Sequence, residues 1–167
     1  MKMDIFDEMD YKGQAIAVPV IKNIFSGRTI NNLVQDYSKG GIDIFVTATT
    51  KNGEVRTYAI ECKDRKPEHT AFQKPFIDKD TGKEVNAGWA MDLPKYNKML
   101  RASLDGYIPL YFNSFSDGTY AIWNAIESPH TYGEYKAGRY TAIPSEKQWK
   151  QGAFYEFKNA VLTGYTS

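Results

Sequence analysis

The chain has 167 residues, 42% hydrophobic and 25% charged, and its 21 Lys+Arg against 20 Asp+Glu leave a net charge of +1. These values describe one globular domain. They exclude a histone-like or strongly basic coat protein, so a nucleic-acid partner would have to be held by a local patch.

The single cysteine, Cys62, excludes an intramolecular disulfide and a cysteine-rich zinc module. With His69 and His130 the only histidines, a metal site must be built mainly from oxygen ligands, which favours Mg²⁺ or Mn²⁺. No apolar run approaches the ~20 residues of a membrane helix. The opening Met1-Lys2-Met3-Asp4 does not read as a secretory signal, so a cytoplasmic location with no membrane partner is expected.

In chain order, Ile5, Met9, Ile16, Val20 and Ile24 predict an amphipathic helix, with Asp4, Asp7, Glu8 and Asp10 in its opening turns where the helix dipole favours acids. Gly13 weakens this helix, and Pro19 predicts a kink or a second short helix. Residues 29–36 suit a strand, and Ser38-Lys39-Gly40-Gly41 a turn. Two β-rich runs, 42–47 and 55–63, are joined at Lys51-Asn52-Gly53, a hairpin signal. Beyond them, residues 66–92 have no clean period and carry a turn at 78–83, so an inserted loop or small hairpin is expected.

Leu93–Leu104 predicts a helix with Pro94 in its first turn, followed by strands over 107–112 and 120–124. Residues 138–143 are a weaker strand candidate. Ser145-Glu146-Lys147-Gln148 fits a capping box that starts a helix, Gly152 limits that helix, and 153–161 suit helix or strand. The reading is a single α/β domain over 1–167, with an insertion at about 66–92 and an extension after about 125.

Asp43 begins one β run, while Glu61 and Lys63 end the other and share a face through their spacing of two. A two-residue turn at Asn52-Gly53 would set Asp43 opposite Cys62. A three-residue turn with Gly53 left-handed sets Asp43 opposite Glu61, with Cβ atoms about 5 Å apart. Only the second register keeps the Glu61 carboxylate from lying among Ile44 and Val46. Burying an unpaired charge costs several kcal/mol, so the three-residue turn is predicted. Ile44, Val46, Tyr58, Ile60 and Cys62 then share the core face, and Cys62 is expected to be inert.

Two carboxylates that close repel each other unless a cation lies between them. A divalent ion held by Asp43, Glu61 and the main-chain carbonyl of Cys62 resolves the repulsion. Lys63 on the same face can hold an attacking water or stabilise a pentavalent phosphate. The set suffices for phosphodiester hydrolysis.

Gly-Gly-Ile-Asp-Ile-Phe-Val followed by Tyr-Ala-Ile-Glu-Cys-Lys resembles the PD-(D/E)XK nuclease superfamily, with Asp43, Glu61 and Lys63 at the motif positions. The resemblance covers about residues 4–124. It implies a restriction-endonuclease-like αβββαβ core with a mixed central sheet flanked by helices, Mg²⁺-dependent cleavage of DNA, and often a homodimer. The chain departs from the pattern at Ile42, where the motif's name has proline. It departs again at Gln14-Ala15-Ile16-Ala17, which offers no acid where many members carry one on the first helix; Glu8 is a poor substitute.

Lys39, Arg65, Lys66 and Lys95 are the candidate phosphate contacts around this site. For Lys95, Lys98 and Arg101 a solvated helix face is the competing reading. Tyr96 lies next to Lys95 with no further sign of a catalytic role. Phe72, Phe76 and Trp89 could stack on bases, but such aromatics more often tuck an insertion against its own core. His69 and His130 are isolated from other ligand types and are expected to be structural or exposed. The competing function class is a binding module that keeps this fold without turnover.

Overall fold

The computed structural model describes residues 5–36, 41–137 and 148–167. The turn expected at Ser38, Lys39 and Gly40, the strand at 138–143, the helix cap at Ser145 and the side chain of Glu8 lie outside the described residues.

Helix α1 (Ile5–Ile24) turns Gln14, Ala17, Val20 and Ile21 toward the sheet, a stripe at helical spacing. It continues through Pro19, so no second helix starts there. Pro19 and Ala15 are both on the exposed side, where water can take the Ala15 carbonyl that loses its amide partner.

Strands β1 (Thr29–Gln35), β2 (Ile44–Thr49) and β3 (Val55–Asp64) form an antiparallel meander. Its second hairpin has the register of the three-residue turn: Ile44 pairs with Ile60, and Val46 with Tyr58. The Thr50 N–H donates to the Glu54 carbonyl at 2.8 Å, and Gly53 sits at φ +79°, a conformation that glycine adopts without strain.

The chain then leaves the sheet. The insertion contributes the small hairpin β4 (Phe76–Ile77) and β5 (Glu84–Val85), then β6 (Trp89–Asp92). Helix α2 (Leu93–Leu104) follows, with Asp92 as its N-cap and a proline in its first turn. Strand β7 (Ile108–Ser114) pairs parallel to β3, placing Tyr111 beside Glu61 and Asn113 beside Lys63. Because β3 and β7 are parallel, α2 runs back between them and returns its first turn to the end of the sheet where β3 finishes. Strands β8 (Thr119–Asn124) and β11 (Leu162–Tyr165) complete a mixed six-stranded sheet in the order β1-β2-β3-β7-β8-β11.

A second sheet has the order β6-β10-β9, from β9 (Thr131–Ala137) and β10 (Gln148–Tyr155). A strand over 148–155 corrects the helix expected to start at the capping box. Gly152 lies so close to β6 that a Cβ there would stand 2.4 Å from the Met91 carbonyl oxygen, and the residues around it bury as a strand between two partners. Pairing across the sheet overrides the local helix signal. The segment after 125 is therefore part of both sheets, not a peripheral addition.

Each face of the main sheet carries its own core. Ile44, Val46, Ile60, Cys62 and Phe112 pack under α1, and Tyr111, Trp123, Met99 and Tyr155 pack between the sheet, α2 and β10. Among the described residues the architecture is α/β with a mixed central sheet and two α-helices. No described helix is long and apolar enough to cross a membrane.

Candidate metal and phosphate site at the end of the third strand

The acids gather where β2 begins and β3 ends. Asp43 precedes the first residue of β2 and is 5% exposed; Glu61 is 3% exposed. In the ladder, Thr50 and Glu54 form a hydrogen-bonded pair, and counting by twos makes Ile42 and Cys62 the next such site beyond Ile44 and Ile60. There the Cys62 N–H donates instead to Asp43 Oδ2 at 2.8 Å. The Asp43 side chain thus takes over a ladder position and is fastened to the backbone between Glu61 and Lys63. The same alternation directs the Cys62 carbonyl toward the β2 side, and the Cys62 side chain into the core under α1, as expected.

Two neighbours reach this point from opposite faces of the sheet. From α1, Gln14 donates Nε2 to Asp43 Oδ1 at 3.4 Å and to the Asp36 carbonyl at 2.8 Å, while its Oε1 accepts from Gln35 Nε2 at 3.4 Å. From α2, Lys95 Nζ meets Glu61 Oε1 at 2.5 Å. Lys95 is thus an ion-pair partner of the second acid as well as a basic residue near the site. Gln14 was passed over in the sequence as a position without an acid. Its signal was a polar side chain on the apolar stripe of α1, where it is fully buried.

Arg65 turns inward, against its expected place on a phosphate-tracking surface. Its Nε donates to Asn113 Oδ1 at 2.6 Å, and its Nη2 donates to the Ala90 carbonyl and the Tyr111 hydroxyl, each at 2.7 Å. The guanidinium also lies 5.5 Å from the Trp89 ring centroid. It ties β6 to β3 and β7. Burial pushes the Tyr111 phenol above its ordinary pKa while Arg65 pulls it down, so the hydroxyl stays protonated and donates to the Ala90 carbonyl at 2.8 Å. Asn113 Nδ2 is buried with no hydrogen-bond partner among the described residues. Lys66 is exposed, Lys63 is half-buried, and Lys39 lies outside the described residues.

The other candidates sit elsewhere. Tyr96 is in a hydroxyl–imidazole cluster, 2.9 Å from the Tyr132 hydroxyl and 3.1 Å from His130 Nε2, and burial with the Tyr132 contact pushes it up to about 12. His69 pairs with Asp117. Phe72 packs edge-on against buried Trp89, the insertion-anchoring arrangement, while Phe76 stays exposed.

Among the described residues, no group of three or more His, Cys, Asp or Glu side chains is placed to share a metal ion. The donors at the strand end are two carboxylates and a main-chain carbonyl, all hard oxygens. They fit Mg²⁺ or Mn²⁺, which are held by one or two carboxylates and retain several waters. No protein-family model, curated protein or solved structure matches the chain.

Proposed function

We propose that this chain is a divalent-metal-dependent deoxyribonuclease with a restriction-endonuclease-like core, hydrolysing DNA phosphodiester bonds. The observation that carries the reading is the Asp43 carboxylate held on the Cys62 amide, which sets one buried acid against the segment that bears Glu61 and Lys63. The element order supports it: a helix, three antiparallel strands, a second helix, and a strand parallel to the third.

In this reading Asp43, Glu61 and the Cys62 carbonyl hold Mg²⁺ or Mn²⁺. When bound, the ion supplies the Lewis acidity that offsets charge on a scissile phosphodiester. Lys63, on the sheet face of Glu61, orients the attacking water and stabilises charge on the pentavalent phosphate. The hydrogen bond from Cys62 keeps Asp43 in a fixed orientation, and burial of both acids strengthens their hold on a cation by excluding water.

The test is incubation with supercoiled, linear and branched DNA in Mg²⁺ or Mn²⁺, alongside Asp43→Asn and Lys63→Ala. Asparagine keeps an oxygen for the Cys62 amide, so the first variant removes charge without stranding that donor. Cleavage by the parent, with losses of roughly 10²–10³-fold in both variants, is expected. Cleavage that persists in both variants overturns the proposal. A folded parent inert on all three substrates overturns it in favour of a binding module without turnover.

A further inference from the structure

A second group of chemically capable side chains, where the start of β9 meets α2, uses none of the residues at the strand end. His130 Nδ1 lies 2.6 Å from the Ser128 carbonyl oxygen, which can only accept, so Nδ1 carries the ring proton. The neutral ring then offers Nε2 as an acceptor. Two phenols reach it, Tyr96 Oη at 3.1 Å and Tyr132 Oη at 3.2 Å, and the two hydroxyls are 2.9 Å apart. With Tyr132 donating to Nε2, Tyr96 donates to the Tyr132 oxygen.

The phenols differ in access. Tyr96 is 8% exposed, and burial with the Tyr132 contact keeps its hydroxyl protonated. Tyr132 is 63% exposed, yet its backbone is pinned: Asn86 Nδ2 donates to the Thr131 hydroxyl and to the Tyr132 carbonyl, each at 3.0 Å. The His130 ring packs on Tyr155 with centroids 5.3 Å apart. An accessible hydroxyl, a base within reach and a third group that orients the base are the parts of an activated nucleophile.

We propose that Tyr132 is a nucleophile with His130 as its general base, and that it accepts the acyl group of a neutral, activated ester. The Tyr132 oxygen bonds to the carbonyl carbon as its proton passes to His130 Nε2. The bond from that carbon to the leaving oxygen breaks, and the leaving oxygen takes the proton from His130. Water then attacks the tyrosyl ester, gives its proton to His130, and displaces the phenolate, which His130 reprotonates. Tyr96 stabilises the Tyr132 oxygen while it carries charge. The leaving group must be about as acidic as a phenol, pKa about 10, for the tyrosyl ester to form downhill.

The surroundings select a neutral substrate. On the Tyr132 side of β9, Glu134 pairs with Lys83, and Lys136 with Asp78 and Asp80, so this face has no excess of positive charge to draw an anion. His130 and Thr131 also line a cavity of about 390 Å³ with apolar walls at Pro75, Ala87, Pro129 and Phe154. The acid Glu156 stands on the same lining. Such walls suit an apolar acyl chain and disfavour a phosphate.

The test is reaction of the full chain with p-nitrophenyl butyrate, reading nitrophenol release and, by peptide mass mapping, the residue acylated. The parent is expected to react at Tyr132 at least about 100-fold faster than free tyrosine amide. Tyr132→Phe and His130→Gln are each expected to lose at least about 100-fold. Tyr132→Phe removes only the hydroxyl of an exposed side chain, so its loss reads chemistry and not unfolding. A merely structural cluster leaves Tyr132 as slow as free tyrosine. That rate, acylation only elsewhere in the chain, or an undiminished rate in Tyr132→Phe overturns the proposal. Faster reaction of Tyr132 with bis(p-nitrophenyl) phosphate than with the butyrate overturns the acyl assignment. DNA cleavage does not pass through this cluster, so these results leave the nuclease reading untouched.

Discussion

Replacing Arg65 by alanine separates two roles that the sequence alone left together. If the guanidinium is a clamp, its loss strands Asn113 Oδ1, whose residue is fully buried. An orphaned buried acceptor costs about 1–3 kcal/mol, and the lost contact over Trp89 adds about 0.5–1 kcal/mol. The Ala90 carbonyl keeps the Tyr111 hydroxyl as donor and adds little. The total is about 1.5–4 kcal/mol. In urea, with a slope of about 2 kcal/mol per molar, the unfolding midpoint should fall by roughly 1–2 M. Arg65→Lys should recover little, because one ammonium cannot span acceptors on three residues. Lys66→Ala, at the exposed neighbouring position, should stay within about 0.5 kcal/mol of the parent. A parent-like midpoint in Arg65→Ala together with lost DNA retention would refute the clamp and return this side chain to the phosphate surface.

Two other outcomes test the scaffold. Burial raises the Asp117 pKa, but hydrogen bonds from Thr119 and His69 outweigh it and bring the carboxyl down to about 2. A depressed folded-state pKa gives stability that is present above about pH 4 and lost as pH falls toward 2, so Asp117→Asn should flatten that part of the acid limb in urea midpoints measured against pH. Gly152→Ala should cost at least about 2 kcal/mol, because its Cβ would meet the Met91 carbonyl oxygen at 2.4 Å and the Tyr135 ring at 2.9 Å. Gly13→Ala should have the opposite sign, by about 0.5–1 kcal/mol, because it lies inside α1 and its nearest new neighbour is 3.6 Å away; thermal midpoints of the two variants read both signs.

The hairpin that places the acids was legible because one register alone kept Glu61 away from Ile44 and Val46, and Gly53 could take the left-handed conformation that register needs. Helix α2 was legible with Pro94 in its first turn. Strand β10 was not, since what makes it a strand is β6 and β9, roughly 60 and 15 residues away in sequence, and its own residues carry a competing cap signal. Arg65 and Lys95 show the same limit at the site. Nearness in sequence to Lys63 suggested a surface role for Arg65, yet Asn113, Ala90 and Tyr111 draw it inward. Lys95 and Gln14 reach the acids from 34 and 29 residues away, separations that leave no local pattern.

Stability gives little reason for the buried charges at the strand end. A buried ion pair such as Glu61 with Lys95 contributes little net stability, because desolvating both charges offsets most of their attraction, and well-packed apolar side chains of similar volume would hold the same elements as firmly. Asp43 adds a second buried charge, where a main-chain carbonyl could satisfy the Cys62 amide. Both acids face partners that hold them in one orientation. An arrangement costly as packing is what the proposed cation site predicts.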